Sequence, residues 1–106
     1  MKKNMSVILF KQYCTDNGFT RIICDSRNQE WYSEEKACVI SMKFDEIMVS
    51  TNQNSVCLKS PSQIIQFNHA RHISVDEGAS VLGTEIDVYC KNDSNNQEIA
   101  YKLFAS

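Results

Sequence analysis

Apolar and polar residues change rhythm at Gly18, and the two rhythms predict different structure. Before it, Val7, Phe10 and Cys14 fall at i, i+3 and i+7, with Leu9 and Tyr13 at i, i+4, which makes one apolar helical face. Ser6 is placed to cap, because its hydroxyl can accept a bond from an otherwise orphan backbone N–H. Asn17-Gly18 closes the segment, glycine being suited to the left-handed position after a helix. Asn-Gly between apolar runs is also a hairpin signal. Strict alternation fails across Val7-Ile8-Leu9-Phe10, so we assign a helix over about residues 6–17.

Beyond Gly18 the period shortens to two. Phe19–Asp25 and Glu30–Ser33 read as strands around the polar turn Ser26-Arg27-Asn28-Gln29. Cys38, Ile40, Met42 and Phe44 alternate with Val39, Ser41 and Lys43. Ile47–Thr51 and Ser55–Lys59 flank Asn52-Gln53-Asn54 as a hairpin, and Ser60-Pro61-Ser62 breaks the ladder. Ile64–Phe67 and His72–Val75 follow. In Thr84–Cys90 the apolar Ile86, Val88 and Cys90 share a face, opposite Glu85, Asp87 and Lys91, and Ile99, Tyr101 and Leu103 alternate in the last strand. The expected fold is a single α+β domain spanning 1–106. One N-terminal helix packs on a strongly bent, mostly antiparallel meander sheet or small partly open β-barrel, its strands running from about 19 to 104. Ile40, Met42, Phe44, Ile86, Val88 and Leu103 are the expected core.

A chain of 106 residues, 42% of them hydrophobic, is long enough to form one such core without a covalent staple. No apolar run approaches the ~18 residues of a spanning helix, so no membrane segment is expected. Met1-Lys2-Lys3-Asn4 imitates the charged end of a secretory signal, but the apolar patch after it is too short. Cys14, Cys24, Cys38, Cys57 and Cys90 are odd in number and irregular in spacing, a poor disulfide framework without a CxxC hook. We expect five free thiols and a cytoplasmic protein, of a bacterium or of a phage-infected bacterial host.

The formal net charge is only −2, and the basic residues are dispersed, which disfavours a nucleic-acid partner. Three scattered glycines form no phosphate-binding loop, and no cofactor is implied. His69 and His72 are weak metal candidates, since residues three apart on a strand face opposite ways. Carboxylates such as Glu34-Glu35, Asp45-Glu46 and Asp76-Glu77 are adjacent and diverge, so they make no acid–base pair across a cleft.

Arg27, Trp31 and Tyr32 are the candidate binding residues, an Arg, a Trp and a Tyr beside one turn, the types enriched at interface hot spots. The expectation that follows is a non-enzymatic protein-binding module with a partner yet to be identified. Homo-oligomerisation through an edge strand is a second route to association. The preference for Asn, Ile, Lys and Ser over Pro, Gly and Ala points to an AT-rich genome. That adds a narrower expectation: an inhibitor of a host system borne by a phage or mobile element, of the anti-CRISPR or other anti-defence type. The alternatives are a small β-barrel binding single-stranded nucleic acid, and a small thiol- or metal-dependent enzyme.

Overall fold

The computed structural model describes residues 2–25, 39–91 and 97–106. Helix α1 is Val7–Asp16, and both of its ends follow from local chemistry. The Ser6 hydroxyl accepts from the Leu9 N–H at 3.4 Å. At the other end Gly18 takes φ +65°. The Gly18 N–H then reaches the Thr15 carbonyl and the Phe19 N–H reaches that of Cys14, both at 3.1 Å. This is the paired bonding of a Schellman stop, and its accompanying apolar contact is the Tyr13–Phe19 ring pair, centroids 5.9 Å apart. Val7, Phe10 and Cys14 are buried as expected. Leu9 is not: it is exposed, so the apolar face is narrower than its periodicity implied.

The strands are β1 (Lys2–Met5), β2 (Arg21–Asp25), β3 (Val39–Lys43), β4 (Glu46–Ser50), β5 (Ser55–Lys59), β6 (Ile64–Phe67), β7 (Ala70–Ser80), β8 (Gly83–Lys91) and β9 (Glu98–Ala105). They form two antiparallel sheets, ordered β1-β7-β8-β9-β2-β3 and β4-β5-β6. The α+β class stands, and the barrel is not closed. Consecutive described strands pair in β2-β3, β4-β5-β6 and β7-β8-β9, but the β1–β7 and β9–β2 pairs break the meander order. Strand β1, which the polar Lys2-Lys3-Asn4 did not announce, pairs with β7, and β9 returns to β2.

Two corners carry the chain between the sheets. Phe44 donates its N–H to the Thr20 carbonyl at 2.8 Å, in the first sheet, while Asp45 donates to Lys59 at 3.0 Å, in the second. Return is through His69, whose φ of +55° lies in the left-handed region that histidine tolerates better than most residues. Its carbonyl accepts from the Lys91 N–H at 3.0 Å, and the Ala70 N–H beside it bonds the Asn54 carbonyl at 2.8 Å.

The core lies between the sheets and under α1. Phe10, Ile22, Met42, Phe44, Leu58, Phe67, Ile73, Val75, Ile86, Val88 and Leu103 belong to it. The side chain of Ile40 lies outside the described ones. One expectation about the solvent face needs correcting. Asp87 is buried rather than solvated, because Ser74 and Lys102 sit beside it in the register and Lys102 pairs with it at 3.4 Å. Phe104 and Ala105 are also both buried, so the end of β9 is covered on both faces. Strand β7 is far longer than His72–Val75, and register shifts between Ala70 and His72 and between Asp76 and Ser80 let it bend.

Candidate interaction surface

Arg27, Trp31 and Tyr32, the surface first singled out by their residue types, lie outside the described residues. The two histidines are separated by the fold. His69 occupies the corner before β7, whereas His72 is on the outer face of the six-stranded sheet, stacked on Tyr89 with centroids 4.3 Å apart. Among the described residues, no group of three or more His, Cys, Asp or Glu could hold a metal ion.

Of the cysteines, Cys14, Cys57 and Cys90 are free thiols, Cys24 is half-buried in β2, and Cys38 lies outside the described residues. Burial pushes the Cys14 thiol up to about 12 and that of Cys90 to about 11. Burial raises them because a thiolate there would lose its hydration. Across the β8–β9 pair, Lys102 of β9 bridges Glu85 and Asp87 of β8. Burial alone would lower its pKa, but the Glu85 hydrogen bond and the two carboxylate charges outweigh that and raise it. Tyr13 is pushed up to about 12 by burial and by its hydrogen bond to Glu77, a contact that ties α1 to β7. These polar groups are engaged in holding the sheets and helix together.

The unspent surface is on the other sheet. In β4-β5-β6 the register places Ile47, Val49, Val56, Leu58, Ile65 and Phe67 toward the core. The opposite face then carries Glu46, Met48, Cys57, Lys59, Ile64 and Gln66. Met48 is 49% exposed and Ile64 59%, large apolar side chains facing water. Cys57 is half-buried and faces Met48 on one side and Gln66 on the other. Together with Lys59 these residues line a groove of about 320 Å³. Sequence reading missed this face, although it left a trace. Ile64-Ile65 is a doublet in a strand, so alternation must turn one isoleucine outward, and Met48 is out of phase with Ile47 and Val49.

The groove also lies beside the least guarded edge of the molecule. Among the described residues, strands β1, β3, β4 and β6 are the sheet edges. Lys2 and Lys3 guard β1, Lys43 guards β3, and β4 carries Glu46 and has α1 packed against it. Strand β6, Ile-Ile-Gln-Phe, carries no charge. Uncharged, apolar edges are the ones that accept a further strand. Elsewhere, Val81 and Leu82 form the exposed tip of the β7–β8 hairpin, an apolar knob and not a groove. A second cavity of about 230 Å³, at the end of α1, has Phe19, Phe44 and Ile47 in its wall and Lys11, Asp45 and Glu46 at its rim.

No helix among the described residues is long and apolar enough to cross a membrane. No family model, curated protein or solved structure matches this chain.

Proposed function

We propose that this protein is a non-enzymatic binding module that acts by occupying the surface of another protein, and that it docks through the outer face of β4-β5-β6. The observation that carries this reading is the exposure of Met48 and Ile64 around a groove next to an uncharged edge strand. Large apolar side chains gathered on one polar-rimmed face are typical of protein-docking surfaces. Two further features favour protein over the alternatives. Every aromatic among the described residues is buried or half-buried, which leaves none standing free for base stacking. Cys14 and Cys90 resist ionisation, which suits packing and not nucleophilic chemistry. The narrower reading, an inhibitor of a host defence system borne by a phage or mobile element, draws its support from composition. Defence or phage genes beside the coding sequence would strengthen it, and a metabolic operon would weigh against it.

The test is site-specific crosslinking from Met48 and Ile64 in cells of the source organism, with Val81 as the control position. The expected outcome is one defined protein adduct from both groove positions and not from Val81, lost in the Ile64→Asp variant with its melting temperature nearly unchanged. Adducts from Val81 alone would move the docking site to the hairpin tip and overturn the proposal.

A further inference from the structure

We infer that β6 receives an extended, acidic peptide segment of the partner as an added strand. This rests on the docking face proposed above and names the chemistry that the face selects.

Three observations converge on strand addition. First, β6 is paired on one side only, with β5, among the described residues. An edge strand offers a peptide a row of main-chain donors and acceptors, which supply affinity with little regard to side chains. Second, β6 is the edge with no charged residue, whereas the other edges carry Lys2 and Lys3, Lys43, or Glu46 beneath α1. Charged guards hinder foreign pairing, so their absence on one edge directs an incoming strand there. Third, the groove next to that edge has a single charged lining residue, Lys59, opposite Ile64 in the register. Its ammonium is ion-paired to no carboxylate among the described residues. Glu46, its cross-strand neighbour on the same face, lies on β4, on the side of Lys59 away from β6.

The geometry joins these features. A strand added to β6 lies about 10 Å from β5, two strand spacings away. An extended lysine and a glutamate side chain can bridge that distance together. Side chains of the added strand alternate between faces, so those on the outer face meet Ile64, Gln66 and Lys59, and the others meet the rim of the core beside Ile65 and Phe67. An alternating aliphatic and acidic segment meets both demands, and a basic one places like charge against Lys59. The four-residue length of β6 also favours a peptide over a second copy of this chain. Pairing two such strands buries far less than the ~1,000 Å² that a stable dimer needs.

The test is backbone-amide NMR titration of the whole protein with two capped heptapeptides, one alternating valine and glutamate, the other valine and lysine. The glutamate probe is expected to shift the amides of β6 and to bind at least tenfold more tightly than the lysine probe at low salt. That preference should shrink as salt rises and reverse in Lys59→Glu. A glutamate probe N-methylated along one edge should not bind, which tests the main-chain ladder without altering the protein. Equal binding of both charges, shifts mapping away from β6, or undiminished binding of the N-methylated probe would each overturn strand addition. So would β6 shifts that depend on protein concentration alone, because the occupant is then a second copy. Groove crosslinks at Met48 and Ile64 with no β6 response to either probe would leave the docking face standing and remove the added strand.

Discussion

Replacing Gly83 with alanine tests whether β8 and β9 approach as closely as the structure requires. Gly83 opens β8 directly after the exposed Val81-Leu82 tip, with φ at +133°, a conformation that residues with a Cβ rarely adopt. A Cβ built there stands 3.0 Å from the carbonyl carbon of Ala105, with the carbonyl oxygen closer still. Both obstructing atoms are main-chain, and Ala105 is 2% exposed, so no flexible side chain can swing aside. Backbone strain of this kind costs about 1–3 kcal/mol, and forcing an extra carbon into packed surroundings costs about 1–3 more. The sum, roughly 2–6 kcal/mol, is a large part of the ~5–15 kcal/mol that holds such a domain together. Gly18→Ala provides the control. Its φ is +65°, but a Cβ there meets nothing within 4 Å, so only the left-handed backbone is penalised, by about 1–2 kcal/mol. Urea unfolding of both variants measures the difference, and thermal melts should show Gly83→Ala lower by at least roughly 10 °C. If Gly83→Ala loses no more stability than Gly18→Ala, the close β8–β9 approach is wrong.

Two further predictions concern the core and its thiols. Ile86→Ala and Phe44→Ala should each cost roughly 2–5 kcal/mol in urea unfolding, since both side chains sit in the core; losses below ~1 kcal/mol at both sites would contradict their packing. Stability should also fall under alkaline conditions. The folded-state pKa of Cys14 is raised from the ordinary 9.0 to about 12, so its contribution is intact below pH 9 and is lost as pH rises toward 12. Cys90, raised to about 11, has the same sign, as does Tyr13 between its ordinary 10.0 and about 12. Unfolding midpoints measured from pH 8 to 11 should drop, with Cys14 alone accounting for about 2–3 kcal/mol at pH 11. A Cys14→Ala variant should show a shallower pH dependence, and an unchanged profile would refute the burial argument.

What the sequence determined by itself was everything set by neighbours along the chain. Ser6 and Gly18 bound α1 because capping and the left-handed stop need only residues within a turn of each other. The shared inward face of Ile86, Val88 and Cys90 follows from the two-residue repeat of a strand. Tertiary structure decided which strands meet and which faces stay uncovered. Nothing local in Lys2-Lys3-Asn4 announces a strand, and β1 takes shape against β7. The consecutive bonds of Phe44 and Asp45 to different sheets divide the strands at a point that the alternation runs straight toward. Asp87 and Leu9 exchange their expected roles for the same reason: burial depends on what the rest of the chain places above a residue. The groove of Met48, Lys59 and Ile64 belongs to this second class. Alternation turns those side chains away from the core, but only the arrangement of both sheets and the helix leaves that face uncovered and β6 paired on one side alone among the described residues.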